Sequence, residues 1–333
     1  MTTSDAASPS DDAEQHSSTG SRFAEFLALG EPLAEFNAEN EGLLTGAGRF
    51  TLGFGGDTSN AAVAAARAGA RTGYLTRIGD DAFGHLLLDM WRSNGIDTSA
   101  VIREPGGETG LYFVTRQPEA GHRFTYRRAA SAASRLSPAD IPLDVVARAG
   151  LLHVSGITQA ISSSACDTAL HAMGAARQAG TLVSYDPNHR PALWPLERAR
   201  AVILHSASLA DIVLPSLEEG QLVTGETDAE AVVERFARLG PQVVALKMGD
   251  SGVLLSNAGH LTHVPAHTVR PVDATGAGDT FDGAFGARLL AGDTPLAAAE
   301  YAVVAAALTT TGLGAVDPIP HRRTVEEIRS AAG

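Results

Sequence analysis

The segment VDATGAGDTFDGAF, Val272 to Phe285, sets Gly276, Ala277 and Gly278 directly before Asp279. Phe281, Phe285 and Leu289 follow at helical spacing, so the small residues fall at a helix start. A helix start leaves several N–H groups unpartnered and carries the positive end of the helix dipole. Gly276 and Gly278 let the backbone bend around an anion held there. A carboxylate at the mouth of such a hole can take a proton from a substrate hydroxyl, and the N–H groups can stabilise a phosphoryl group in transit. Asp279 would be the base, with the backbone of Gly276, Ala277 and Gly278 as the anion hole. An aspartate in a first turn also caps helices, and this segment alone leaves both roles open.

Such a corner needs a scaffold that brings distant segments to it. The apolar run in RFAEFLALGEPLAEF ends at Gly30 and reads as a first core strand. AAVAAARAGA reads as a buried Ala-rich helix stopped at Gly69. RTGYLTRIG reads as a strand, and DAFGHLLLDMWRSNG as a helix capped by Asp80 or Asp81. ETGLYFVTR and HRFTYRR alternate like a half-exposed hairpin joined by QPEAG. Further on, GLLHVSG, TLVSYDPN, ADIVLPS and PQVVALKMG read as strands separated by helices. That alternation means an α/β fold with a mainly parallel sheet covered on both faces. Ligands of such sheets lie beyond the carboxyl ends of the strands, which points to Asn188, Arg190, Ser216 to Glu219 and Lys247 to Gly252. No linker or repeat divides the chain. One domain is expected over 22–333, with lid strands from about 31–54 and 108–128, after a disordered polar tail at 1–21.

The 333 residues carry a formal net charge of −13, which argues against a nucleic-acid surface or a polybasic membrane patch. No apolar run approaches the ~18 residues of a membrane span. Cys166 is the one cysteine, so no intramolecular disulfide forms, and a reducing, cytoplasmic setting is expected. ISSSACDTAL offers it no activating cation, which leaves Cys166 as a small helix residue. His260, His263 and His267 fall in a hairpin-like segment where period two sends His260 and His263 to opposite faces, against a zinc site. Trp91 and Trp194 are expected to pack.

A second feature lies far upstream of the Asp279 turn. GGDTSNAAVAAARAGARTGYLTRIG, Gly55 to Gly79, resembles the N-terminal motif of the ribokinase-like (PfkB) carbohydrate kinases, and DATGAGDTFDGAF resembles their C-terminal motif. The resemblance runs from about Phe23 to the C-terminus. It implies a three-layer α/β/α fold with a small β-strand lid, ATP-dependent phosphorylation of a sugar, and Asp279 as catalytic base. It also implies a homodimer paired through lid strands. Ala274 departs from the usual Pro, Thr, Ser or Val, and Gly286 is unusual; neither is expected to disable the site. The chain contains no G-x-x-x-x-G-K-[ST], H-R-D or D-F-G, so the P-loop and protein-kinase schemes do not apply.

LGEPLAEF, ETGLYF, TYRRAASAASRLSP, YDPNHRPALW and LPSLEEGQLVTG are similar to the 2-keto-3-deoxygluconate kinases within that family. The similarity implies sugar-acid contacts from Gly55, Gly56, Asp57, Thr58, Asn60, Tyr112, Tyr126, Arg127, Arg128 and Arg190. A keto acid's carboxylate needs guanidinium donors, and Arg127, Arg128 and Arg190 are the ones in place. The plainer alternative, weighed below that role, is a solvated hairpin face for the first two and a helix-start ion pair for Arg190. For the nucleotide the resemblance implies Asn188, Arg190, Ser216, Glu219, Lys247, Gly249, Gly252, Gly276 and Gly278. Ser216 replaces the family's usual Asn, while Glu219 keeps the carboxylate that organises Mg²⁺ indirectly, through water. A K⁺ ion near Asp273 and a simple aspartate turn both remain open. Leu313 stands where related keto-acid kinases have an acidic residue. The alternatives are a neutral ketose such as fructose as substrate, or a non-catalytic sugar sensor.

Overall fold

A computed structural model describes residues 24–117 and 121–332. The expected 1–21 tail and the Pro118–Ala120 part of the hairpin turn lie outside the described residues. The strands are β1 (Phe26–Leu29), β2 (Leu33–Ala38), β3 (Phe50–Gly55), β4 (Thr72–Gly79), β5 (Val101–Glu104), β6 (Leu111–Gln117) and β7 (Gly121–Arg127). After them come β8 (Leu151–Ser155), β9 (Leu182–Asp186), β10 (Ile212–Val213), β11 (Val243–Lys247), β12 (Val253–Asn257) and β13 (His260–Val264). Among the described residues the main sheet runs β13-β12-β11-β10-β9-β8-β1-β4-β5, parallel from β11 to β5, with an antiparallel hairpin, β12 and β13, at one edge. A small sheet, β3-β2-β6-β7, stands apart as the lid.

Alternation along β1 shows why the fold has three layers. Phe26 and Ala28 enter one core, with the helices Asp57–Arg67, Ala277–Leu290 and Pro295–Thr309. Leu27 and Leu29 enter the other, with the helices Ser163–Ala179 and Leu196–Leu209. Successive side chains point to opposite faces, so a strand buried on both sides must be apolar throughout. Two of these helices cross very closely. A Cβ added at Gly283 would come 2.0 Å from Ala61 O, and one at Gly286 would come 2.7 Å from the Phe26 ring. The unusual Gly286 therefore makes room for a core phenylalanine.

Several local expectations are met or corrected. Asp81 caps the helix Ala82–Ser93 by accepting from Gly84 N at 2.7 Å. Trp91 and Trp194 are buried, as is Cys166, whose thiol is pushed up by burial. The strand expected over ADIVLPS is only Ile212–Val213, because the chain turns at Pro215, which has no N–H to give a ladder. The hairpin expected to alternate in exposure does not: His260, Leu261, Thr262 and His263 are all exposed on β13, the edge strand of the sheet.

Candidate active site

The helix Ala277–Leu290 starts on Gly276, whose φ of 77° lies in the left-handed region. An added Cβ there would sit 2.8 Å from Ala315 O, so only glycine fits. No side chain caps this start. Ala277 N turns back to Ala274 O at 3.3 Å, and among the described residues the N–H groups of Gly278 and Asp279 face no protein acceptor. Asp279 is thus the third helical residue and not a cap. Its Oδ2 accepts from Asn60 Nδ2 at 2.8 Å, across the close crossing with the helix Asp57–Arg67. Burial, reinforced by the nearby Asp57 and opposed by the Asn60 bond, lifts Asp279 to about 7. A carboxyl so placed changes protonation near neutrality, as a general base requires.

The helix Asp57–Arg67 supplies the facing wall. Asp57 Oδ2 accepts from Ser155 Oγ and from Asn188 Nδ2, the latter at 3.1 Å. Its Oδ1 is buried without a hydrogen-bond partner, and so is Asn60 Oδ1. Two unsatisfied acceptors beside one carboxyl suit a ligand rich in hydroxyls. Thr58 does not join them: it is fully buried and bonded to Tyr74 Oη at 3.0 Å. Asn188, expected at the nucleotide, is bound to Asp57 instead, with its own N–H 3.1 Å from Asp186 Oδ1.

The lid faces this wall with Tyr112 and Tyr126, stacked at 5.5 Å, and Gly55 backs onto the Tyr112 ring. Arg128 lies over Tyr126 at 5.4 Å and pairs with the fully buried Glu31, which also accepts from Ser131 Oγ at 2.7 Å. Arg127 goes elsewhere. It sits on the opposite face of β7 from Tyr126, exposed, and among the described residues donates only to Tyr126 O, at 3.0 Å. Tyr112 Oη donates to Glu35, whose carboxyl burial raises to about 7. Glu31 and Glu35 are partners that sequence reasoning missed. The available signal was position: Glu31 follows the central β1, and Glu35 shares a lid face with Leu33 and Tyr112.

On the other side of the turn lies a cavity of about 480 Å³, lined by Lys247, Gly249, Gly252, Ala277, Gly278 and Phe281, with a mostly apolar far wall. That wall includes Val269 and Pro271 and, from the helix Pro295–Thr309, Val303, Ala306 and Ala307. Gly249 and Gly252 bracket the tight turn after β11. Ser216 and Glu219 form a reciprocal capping box on the helix Leu217–Thr224, with Glu219 N donating to Ser216 Oγ at 3.3 Å. Arg190 donates to Glu219 at 3.0 Å, the ion pair considered as its plainer role. Asp273 Oδ1 accepts from Thr275 N at 3.0 Å and Thr275 Oγ1 at 2.7 Å, a turn in the plain sense. Leu313 is exposed at the rim of a smaller cavity of about 230 Å³ beside Glu35.

Residues 25–322 match the model of the pfkB family of carbohydrate kinases. A 2-dehydro-3-deoxygluconokinase of Thermoproteus tenax is 36% identical, over 96% of this chain and 99% of that protein. Fructokinase-1 of Oryza sativa subsp. japonica is 34% identical, over 92% of this chain and 98% of that protein. A solved E. coli structure in complex with ATP and Mg²⁺ superposes with a TM-score of 0.86 at 25% identity, covering 93% of this chain and 100% of that one. With its ribokinase-like three-layer fold, its lid and this match, the chain belongs to the pfkB family and is a carbohydrate kinase.

Proposed function

We propose that this chain transfers the γ-phosphoryl group of ATP to a hydroxyl of a small sugar acid, 2-keto-3-deoxygluconate, within one kinase domain spanning 22–333. One observation carries the proposal: Asp279 stands between unsatisfied acceptors on Asp57 and Asn60 and the open N–H groups of the Gly276–Asp279 turn. Sugar hydroxyls donate to Asp57 and Asn60, while the nucleotide fills the 480 Å³ cavity, its adenine against the apolar wall. Asp279 takes the proton of the attacking hydroxyl as that oxygen bonds to the γ-phosphorus. The bond from that phosphorus to the bridging oxygen breaks, the oxygen leaves with the electron pair on ADP, and the turn's N–H groups hold the charge of the transferring group. Mg²⁺ suits the same corner. Glu219 is held by Ser216 N at 3.4 Å and by Arg190, with lone pairs left for a water-bound ion. When bound, Mg²⁺ supplies neutralisation of phosphate charge. K⁺ is left out of the proposal, because Asp273 uses both oxygens on Thr275 and Gly314.

Arg128 and Arg190 favour an acid over a neutral sugar. They are the guanidinium groups at the cleft, and Arg128 Nε is buried with no hydrogen-bond partner. A neutral ketose is the second substrate considered, because Glu31 already balances the charge of Arg128. A panel of hexoses, ketoses and 2-keto-3-deoxy acids in one ATP-coupled assay decides between them. Turnover of fructose above that of the keto acid would reverse the choice. Among the described residues the lid edges at β3 and β7 are unpaired, and Leu52 is exposed on β3, which suits pairing with a second copy. Sedimentation of a monomer at assay concentration rules that out. Buried Cys166 fits a reducing, cytoplasmic setting.

A further inference from the structure

Three charged side chains meet beneath the anion-hole turn, and the chemistry of Asp279 does not use one of them. Lys247 ends β11, Asp186 ends β9, and Asp282 lies on the helix Ala277–Leu290, three residues past Asp279. The intervening β10 is only two residues long, so side chains from the flanking strands can meet beyond it. Lys247 Nζ donates to Asp282 Oδ1 at 3.0 Å, Asp282 Oδ2 at 3.1 Å and Asp186 Oδ2 at 3.2 Å. The Asp186 and Asp282 side chains are 5% and 1% exposed. Groups buried this deeply must balance one another. Lys247 outweighs burial and holds Asp186 below the usual carboxylate range, whereas burial drives Asp282 well above it.

An ammonium has three N–H donors; one shared between the two Asp282 oxygens and one given to Asp186 leave the third. Lys247 Nζ also lies 3.6 Å from where a Gly278 Cβ would stand, and Lys247 lines the 480 Å³ cavity. The other two cations of the cleft are already tied to carboxylates, Arg190 to Glu219 and Arg128 to Glu31. We propose that Asp282, with Asp186, is a positioning residue that fixes the Lys247 ammonium against Gly278, its remaining N–H turned to the phosphoryl group in transit. Asp282 touches no reactant and acts through Lys247. This rests on the assignment of the Gly276–Asp279 turn as the phosphate seat.

Nucleotide selectivity separates this role from a structural one. Asp282→Ala is expected to lower kcat by about tenfold or more and to weaken ATP by a similar factor, leaving AMP affinity and the sugar KM close to their starting values. Asp282→Asn, which keeps an acceptor for the ammonium and a donor for Asp186, is expected to recover most of that loss. In a Lys247→Met background Asp282→Ala should add nothing, because its effect passes through the missing ammonium. An equal effect in both backgrounds, or equal losses for ATP and AMP, overturns the proposal. So does a Lys247→Met protein whose preference for ATP over AMP is unchanged, whether or not Asp282→Ala folds. If Asp279→Asn kept its turnover while these nucleotide effects held, the base assignment would fail and the ammonium's role would stand.

Discussion

The helices Asp57–Arg67 and Ala277–Leu290 begin alike and are surrounded differently. Each follows a glycine of positive φ, 97° at Gly56 and 77° at Gly276, lacks a side-chain cap, and carries an aspartate in its first turn. They touch where Gly283 meets Ala61, which brings Asn60 to Asp279. Asp57, at the first helical position, is 8% exposed and gripped by Ser155 and Asn188. Asp279, at the third, is partly open to the cleft and holds the Asn60 bond. A carboxyl gripped by several donors, as Asp57 is, is pulled back toward its ionised form against the burial that raises it. One with a single donor, lifted to about 7, can gain and lose a proton. In the proposed reaction the same local device would serve two chemistries, divided by its neighbours.

The largest expected break in that comparison is Asp279→Asn. Its kcat should fall by about 10²-fold or more with little change in sugar KM, and a variant that keeps most of its kcat removes Asp279 as base. Asp57→Asn should act on binding instead. Sugar KM should rise by about tenfold, the scale of one charged hydrogen bond, with the smaller change in kcat; the reverse split would exchange the two roles. The pH profile sharpens the contrast. Since the base must be ionised, kcat/KM should fall as pH drops below about 7 and level off above it. In Asp57→Asn that limb should move to lower pH, because one of the charges that raises Asp279 is gone. An unmoved limb separates the two carboxyls.

Gly283→Ala tests the contact that joins the helices. Overpacking against Ala61 should cost about 1–3 kcal/mol, read as a lowered Tm, with a few-fold loss of kcat as Asn60 is displaced. An unchanged Tm would mean that the crossing has slack. Arg127→Ala should be smallest, within about twofold in kcat and KM, since that side chain faces away from Tyr112 and Tyr126. A larger effect on sugar KM would return Arg127 to the site.

Much of the scaffold was legible because the strands of a doubly covered sheet must be apolar. β8 and β9 stand out as LLHVS and LVSYD between helical stretches. Half-exposed β5, VIRE, and the helix Ala229–Ala237 escaped, since neither carries an apolar run long enough to separate it from a loop. In the site, Asp279 and its glycines were legible as types at fixed spacing, and Asn60 through the family resemblance. The choice of Arg128 over Arg127 was not, because it depends on which face of β7 meets the cleft, and that is set by the register with β6. Thr58 was misplaced for a related reason: on a buried helix start, rotation about the axis decides whether a side chain meets the cleft or the core.

By itself the sequence determined what is local: glycines that open two helix starts, an aspartate in each first turn, and apolar strands that require two covering layers. Only the tertiary structure decided which aspartate is gripped by two donors and which by one, where Lys247 finds its carboxyl groups, and how an asparagine comes to bond a carboxyl 219 residues away. Helix and turn preferences act within a few residues. Solvation and charge act through space, and a carboxyl's proton affinity follows whatever folding packs around it.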